Sequence, residues 1–145
     1  MTLVTRIALL TGITAATVFT GGQWNLPVAA WVGAVLTLRY YRATTRPVLD
    51  FFVVAALVGA AGAVAWHGVV PSVVTAPLPT AVIPVAGAFV GMLVFVLDRW
   101  VHRRAGATTL ASLVFPAAWT AVDTLTTGGA EVGTFGSLAY TQMGA

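Results

Sequence analysis

Charged residues are absent from residues 7–38 and again from residues 51–97, and apolar positions run through both stretches without a polar stripe. A helix that is apolar all round is buried in protein or in lipid, and one crossing of a hydrocarbon layer takes ~20 residues. Each stretch has room for two crossings. The first is interrupted by GGQWNLP (21–27), where glycines, amides and a proline break a helical run. The second is interrupted by HGVVPSVVTAPLP (67–79), with three prolines. The pattern therefore predicts helices over 3–20, 26–41, 49–70, 80–97 and 107–125, then an outer tail over 126–145. The expected fold is all-α: a single polytopic membrane domain, 1–145, of about five transmembrane helices. After the first helix there is no small-x-small cleavage site followed by a polar region, so it is read as an uncleaved span.

Composition strengthens that reading. Hydrophobic residues make up 59% of the 145 positions and charged residues 8%, with a mean hydropathy of +0.93. Soluble domains carry about 25% charged residues. An integral membrane protein is expected, with membrane lipid as its first partner. The basic pI of about 10.2 points to nucleic acid only superficially. All seven basic residues are arginines: Arg6; then Arg39, Arg42 and Arg46; then Arg99, Arg103 and Arg104. Each group flanks an apolar run, which is juxtamembrane placement and not a phosphate-tracking patch, so no nucleic-acid partner is expected.

With five spans the three arginine groups fall on one side, which the positive-inside rule makes cytoplasmic. The N-terminus is then inside and the C-terminus outside. Trp24 and Trp66 fall at the outer boundaries, and Tyr40, Tyr41, Phe51, Phe52 and Trp100 at the inner ones. Three pairs of small residues have the spacing of close helix contacts: Gly87 with Gly91, Gly59 with Ala63, and Ala29 with Gly33. Composition alone also produces such pairs in a chain this rich in Ala and Gly.

Candidate chemistry is sparse. Asp123, near the outer end of the last span, is either an interfacial acid reaching water or a positioned structural or binding group. His67 beside Trp66 reads as a solvated helix end, with no second histidine or carboxylate near it in sequence. Asp98 and His102, four apart with Arg99 between them, read as a local ion-pair cluster facing headgroups. Its three basic residues fall short of the four to eight of a dedicated lipid-headgroup site. Glu131 is the single acid of the tail, and one carboxylate cannot run acid–base chemistry by itself. No catalytic set, metal cluster or phosphate-cradling loop stands out, so no catalytic residue, cofactor or metal is expected. The chain contains no cysteine.

Two passages carry a family resemblance. GGQWNLPVAAWVGAVLTLRYYR (21–42), with Trp24, Pro27 and Trp31, resembles the entry to the second span of apolipoprotein N-acyltransferases and related membrane-anchored carbon–nitrogen hydrolases. LVFPAAWTAVDTLTTGGAEVGTFGSLAYTQ (113–142) is similar to a further stretch of that family. Pro116, Trp119 and Asp123 match a Pro-x-x-Trp-x-x-x-acid pattern. Gly133, Phe135, Ala139, Tyr140, Thr141 and Gln142 match the Gly–aromatic segment that follows it. Asp123 stands where the family usually has Glu, so no fine role carries over to it.

The resemblance implies further membrane helices and an extracytoplasmic nitrilase-like αββα domain with a Glu–Lys–Cys triad. There the cysteine takes an acyl chain from phospholipid and passes it to the N-terminal cysteine of a lipoprotein. The logic is nucleophilic attack by the thiolate, with proton transfer by the glutamate and oxyanion support from the lysine. This sequence has neither Cys nor Lys, so it is expected not to be the enzyme itself. The leading expectation is a non-catalytic membrane portion of such an acyltransferase, truncated or split, partnered by a separately encoded nitrilase-like subunit. On that view the ending VGTFGSLAYTQMGA (132–145) is a passage midway through a longer enzyme. The alternative is a small standalone membrane scaffold or interaction protein. A transporter is disfavoured, because the spans show no internal repeat and almost no mid-membrane polar residue.

Overall fold

The computed structural model describes residues 1–21, 24–67, 77–106 and 108–127. Those residues form six helices: α1 Leu3–Thr20, α2 Pro27–Ala43, α3 Pro47–Trp66, α4 Pro77–Ala105, α5 Thr109–Ser112 and α6 Val114–Thr127. There is no strand among the described residues. Three helical segments are long and apolar enough to cross a membrane: Leu3–Thr20, Pro47–Trp66 and Pro84–Ala105. Thr109–Leu125 is a shorter apolar stretch.

Local chemistry sets these boundaries. Thr2 caps α1, its hydroxyl accepting from the Thr5 amide at 3.2 Å. Prolines open α2 and α3, where a missing amide proton costs nothing. α4 ends at Gly106, whose φ of +68° is the left-handed conformation that glycine tolerates. Its amide returns to the His102 carbonyl at 3.0 Å. Thr108 then caps the next turn.

Two expected helices come out differently. The one expected over 80–97 runs to Ala105. At 1.5 Å per residue its 29 residues span about 43 Å, longer than the ~30 Å of a hydrocarbon layer, with His102, Arg103 and Arg104 in its last turn. The charges at 98–104 do not end the helix, which continues through them to Ala105. The helix expected over 107–125 is divided into α5 and α6 by a turn at Leu113. Of the outer tail expected over 126–145, residues 126 and 127 continue α6, and 128–145, with Glu131, Gly133, Phe135, Ala139, Tyr140, Thr141 and Gln142, lie outside the described residues.

Four helices close a ring. α1 packs on α2 and α3, while α4 packs on α3 and α2. α6 leans on α4, outside the ring. Leu9, Ile13, Tyr40, Tyr41, Val54, Met92 and Phe95 fill the interior. Tyr40 and Tyr41, near the end of α2, face inward and are wholly buried. Phe52 and Trp100 are the aromatics that face outward at this end, and Arg104 sits 4.2 Å above the Trp100 ring.

Small residues set the approach of α3 to α4. A Cβ at Gly59 would lie 3.0 Å from the Val85 backbone, and one at Gly62 would lie 3.3 Å from Pro84. Gly33 comes as close to Ala16 of α1, at 3.3 Å. Gly87 has nothing within 4 Å, so the expected Gly87–Gly91 pair is not a helix seam. The two kinds of glycine separate on substitution. Gly59→Leu should destabilise the bundle by about 1–3 kcal/mol through overpacking. Gly87→Ala should be neutral or stabilising, by up to ~1 kcal/mol of helix propensity. Thermal unfolding in detergent micelles, followed by tryptophan fluorescence, reads both, and an unchanged midpoint for the Gly59 variant would refute the seam.

Candidate functional site: an arginine–aspartate network and a lateral apolar cleft

Two features stand out, one polar at an end of the bundle and one apolar along its side. The polar one follows from the up-and-down path of the chain. The start of α1, the end of α2, the start of α3 and the end of α4 meet at one end, bringing the arginine groups together there. Two of the chain's four acids, Asp50 and Asp98, are buried among them at 1% and 0% exposure. A carboxylate so far from water must be matched by cations and hydrogen bonds.

Each is matched from other helices. Asp50, in the first turn of α3, pairs with Arg6 of α1 and accepts the Thr44 hydroxyl. Arg6 also donates through Nε to the Tyr40 hydroxyl at 3.2 Å. Asp98 of α4 takes a two-pronged bond from Arg42 of α2, with Nε to Oδ2 at 2.9 Å and Nη2 to Oδ1 at 3.0 Å. This fork geometry is the strong form of the arginine–carboxylate pair. His102 lies 3.4 Å from the same carboxylate. Arg99, 4% exposed, donates through Nη1 to the Tyr41 carbonyl, one of the orphan carbonyls at the end of α2.

The short 44–46 connection is folded by the same groups. The Thr44 amide reaches the Tyr40 carbonyl at 3.0 Å, and its hydroxyl receives the Arg46 amide at 3.1 Å. Asp98 and His102 therefore belong to a network linking four helices, larger than the local cluster expected from their spacing. Asp50 had gone unremarked. Its signal was present in the sequence: it is the one acid in the first 97 residues and lies four residues after Arg46, just inside a proline-initiated helix.

The apolar feature is a cleft of about 390 Å³ on the flank of α4, between α2 and α6. That volume lies within the ~300–1,000 Å³ usual for ligand pockets. Trp31 and Ala34 line one wall, Phe115 and Trp119 the other, with Met92 and Phe95 of α4 as the floor. Phe95 stands 5.0 Å from Phe115 and 6.0 Å from Trp119, ring centre to ring centre. The lining threonines offer a ligand little. Thr17, Thr20 and Thr37 each donate to a carbonyl four residues back, to Ile13 (2.9 Å), Ala16 (2.6 Å) and Gly33 (2.7 Å). Trp31 is 67% exposed, so the mouth opens on the apolar outer surface of the bundle.

The other candidate residues fall apart from these features. Trp24 packs edge-on against Phe19 at 6.0 Å, at the opposite end, and Trp66 lies there beside Gly21. Pro27 opens α2 and Pro116 lies in the first turn of α6. Asp123 is half-buried on α6, and His67 is exposed at the end of α3. Of the positions that carried the family resemblance, Trp31 and Trp119 are brought together. No group of three or more His, Cys, Asp or Glu able to hold a metal ion occurs among the described residues. No family model, curated protein or solved structure matches the chain.

Burial makes the Asp98 pair asymmetric. The Arg42 side chain is 42% exposed and can turn to water, whereas Asp98 cannot. Arg42→Ala, which strands a buried carboxylate, should cost about 3–5 kcal/mol. Asp98→Asn should cost less, about 1–2 kcal/mol, because its partner can be rehydrated. Unfolding midpoints of the two variants test this, and the reverse order would overturn the assignment of Asp98 as the trapped charge.

Proposed function

We propose that this chain is a lipid-binding membrane domain whose cleft between α2 and α6 accepts an acyl chain laterally from the bilayer. One observation carries the reading: the cleft is apolar, aromatic-walled, provided with already bonded hydroxyls, and open on the face that lipid would cover. A saturated chain loses nothing by entering such a site, while a polar ligand would leave its hydrogen-bonding groups unmatched.

The context we propose is the non-catalytic membrane portion of an apolipoprotein N-acyltransferase-like protein in a bacterial plasma membrane. The convergence of Trp31 and Trp119, both from the passages resembling that family, supports it. On this reading α1, α2, α3, α4 and the α5–α6 segment all cross the membrane, with the arginine end cytoplasmic and the end bearing Trp24 and Trp66 outside. The nucleophile and its supporting groups come from a nitrilase-like catalytic domain, as a separately encoded subunit docking at the outer end.

A photoreactive phospholipid with its label near the acyl terminus should mark residues around Trp31 and Trp119. Ala34→Phe, which fills the cleft, should reduce that labelling by about tenfold, equivalent to ~1.4 kcal/mol of lost affinity. Labelling spread evenly around the bundle and unaffected by the variant would overturn the lipid site. Co-purification with a nitrilase-like subunit in mild detergent is the expected result for the acyltransferase context. Acyl transfer by the purified chain alone would overturn its non-catalytic role.

A further inference from the structure

The arginine network is incomplete at one atom. Arg6 and Arg42 each have a carboxylate, but Arg99, the most deeply buried of the arginines, has none within ion-pair distance among the described residues. Its Nη1 is taken by the Tyr41 carbonyl. Its Nη2 is a buried side-chain donor with no hydrogen-bond partner. Leaving such a charged donor unmatched is costlier than leaving a neutral one.

A second observation points to the missing partner. Arg103 lies one helical turn beyond Arg99 on α4, at the spacing where like charges repel. Arg103 is exposed and has no carboxylate partner among the described residues. The acids nearest in the network are already engaged: Asp98 by Arg42, and Asp50 by Arg6 and Thr44. Seven arginines against these two aspartates leave five positive charges at one end of the bundle with His102 neutral. That falls in the range of four to eight associated with anionic-headgroup recognition, which the 99–104 segment alone does not reach.

We infer that Arg99 and Arg103 form a phosphate-binding site at the arginine end of α4, taking the phosphate of an anionic phospholipid headgroup or free phosphate. One phosphate oxygen accepts from the open Nη2 of Arg99. Another faces the exposed guanidinium of Arg103, so the anion separates two cations that otherwise repel. Entry requires movement of side chains at this end, where Arg46, Arg103 and Arg104 are all exposed. The site is independent of the apolar cleft and stands whether or not that cleft takes an acyl chain.

The test uses the full chain in a non-ionic detergent, titrated separately with short-chain phosphatidylglycerol, short-chain phosphatidylcholine and inorganic phosphate. Unfolding midpoints and the lipid retained in native mass spectrometry are the readouts. Phosphatidylglycerol should raise the midpoint by several degrees and be retained one per chain, while phosphatidylcholine should do neither. An equal rise with inorganic phosphate would assign the site to free phosphate, and a rise confined to phosphatidylglycerol assigns it to the headgroup. Arg99→Gln should abolish the response, and Arg103→Gln should weaken it by about tenfold, should the Arg99 variant fail to fold. Arg104→Gln removes the same charge next to Trp100 and should leave the response intact. Equal responses to both lipids without any response to phosphate would overturn the site. So would an anion response that survives in both the Arg99 and Arg103 variants, or one lost equally in the Arg104 variant.

Discussion

A carboxylate shut away from water is held only by the cations and donors that reach it, and in this bundle two such carboxylates sit at the same end. Asp50 and Asp98 cannot be rehydrated without opening the packing around them, so each demands a partner at a defined depth. The partners come from other helices: Arg6 from α1 and Arg42 from α2. The ion pairs therefore fix how far each helix slides past its neighbours. Lipid offers little hydrophobic preference among helix registers, which makes such directional bonds unusually decisive in a membrane bundle. The Arg99 bond to the end of α2 adds a second tie between α2 and α4.

From that fixed end the rest of the architecture follows by packing. Gly59 and Gly62 bring α3 against Val85 and Pro84 of α4, and Gly33 brings α2 against Ala16 of α1. These close approaches shut the ring of α1, α2, α4 and α3. With the ring closed, α6 packs on α4 from outside. The angle left between α2 and α6 is the apolar cleft, and its floor at Phe95 is also a neighbour of Tyr41 in the ring interior, at 6.1 Å. The cleft and the ion network thus share α4, which carries the floor of one and an aspartate and an arginine of the other, and α2, which carries Trp31 and Ala34 of the cleft and Arg42 of the network.

The helical class and the placing of the long apolar helices were legible from charge-free apolar runs, because the breaks at 21–27 and 67–79 are rich in glycine or proline. The count of five spans was not, since three of the described helices are long and apolar enough to cross a membrane and the last is divided at Leu113. Nor was the length of α4 legible, since a helix can run on through a cluster of charges that ends an apolar run. That Tyr40 and Tyr41 turn inward and are wholly buried was not legible, because a tyrosine at a helix end looks the same in sequence whether it points outward or to a buried aspartate.

The sequence by itself determined that this is an all-helical protein with helices suited to a membrane, that its arginines flank its apolar runs, and that two tryptophans sit in its most distinctive passages. Only the tertiary structure decided which arginine meets which aspartate, that Trp31 and Trp119 face one cleft, and that one donor of Arg99 is left open. The physical reason is a difference in range. Helix formation and hydropathy are local properties of consecutive residues, whereas Arg42 and Asp98 lie 56 residues apart and meet only when four helices settle into one register.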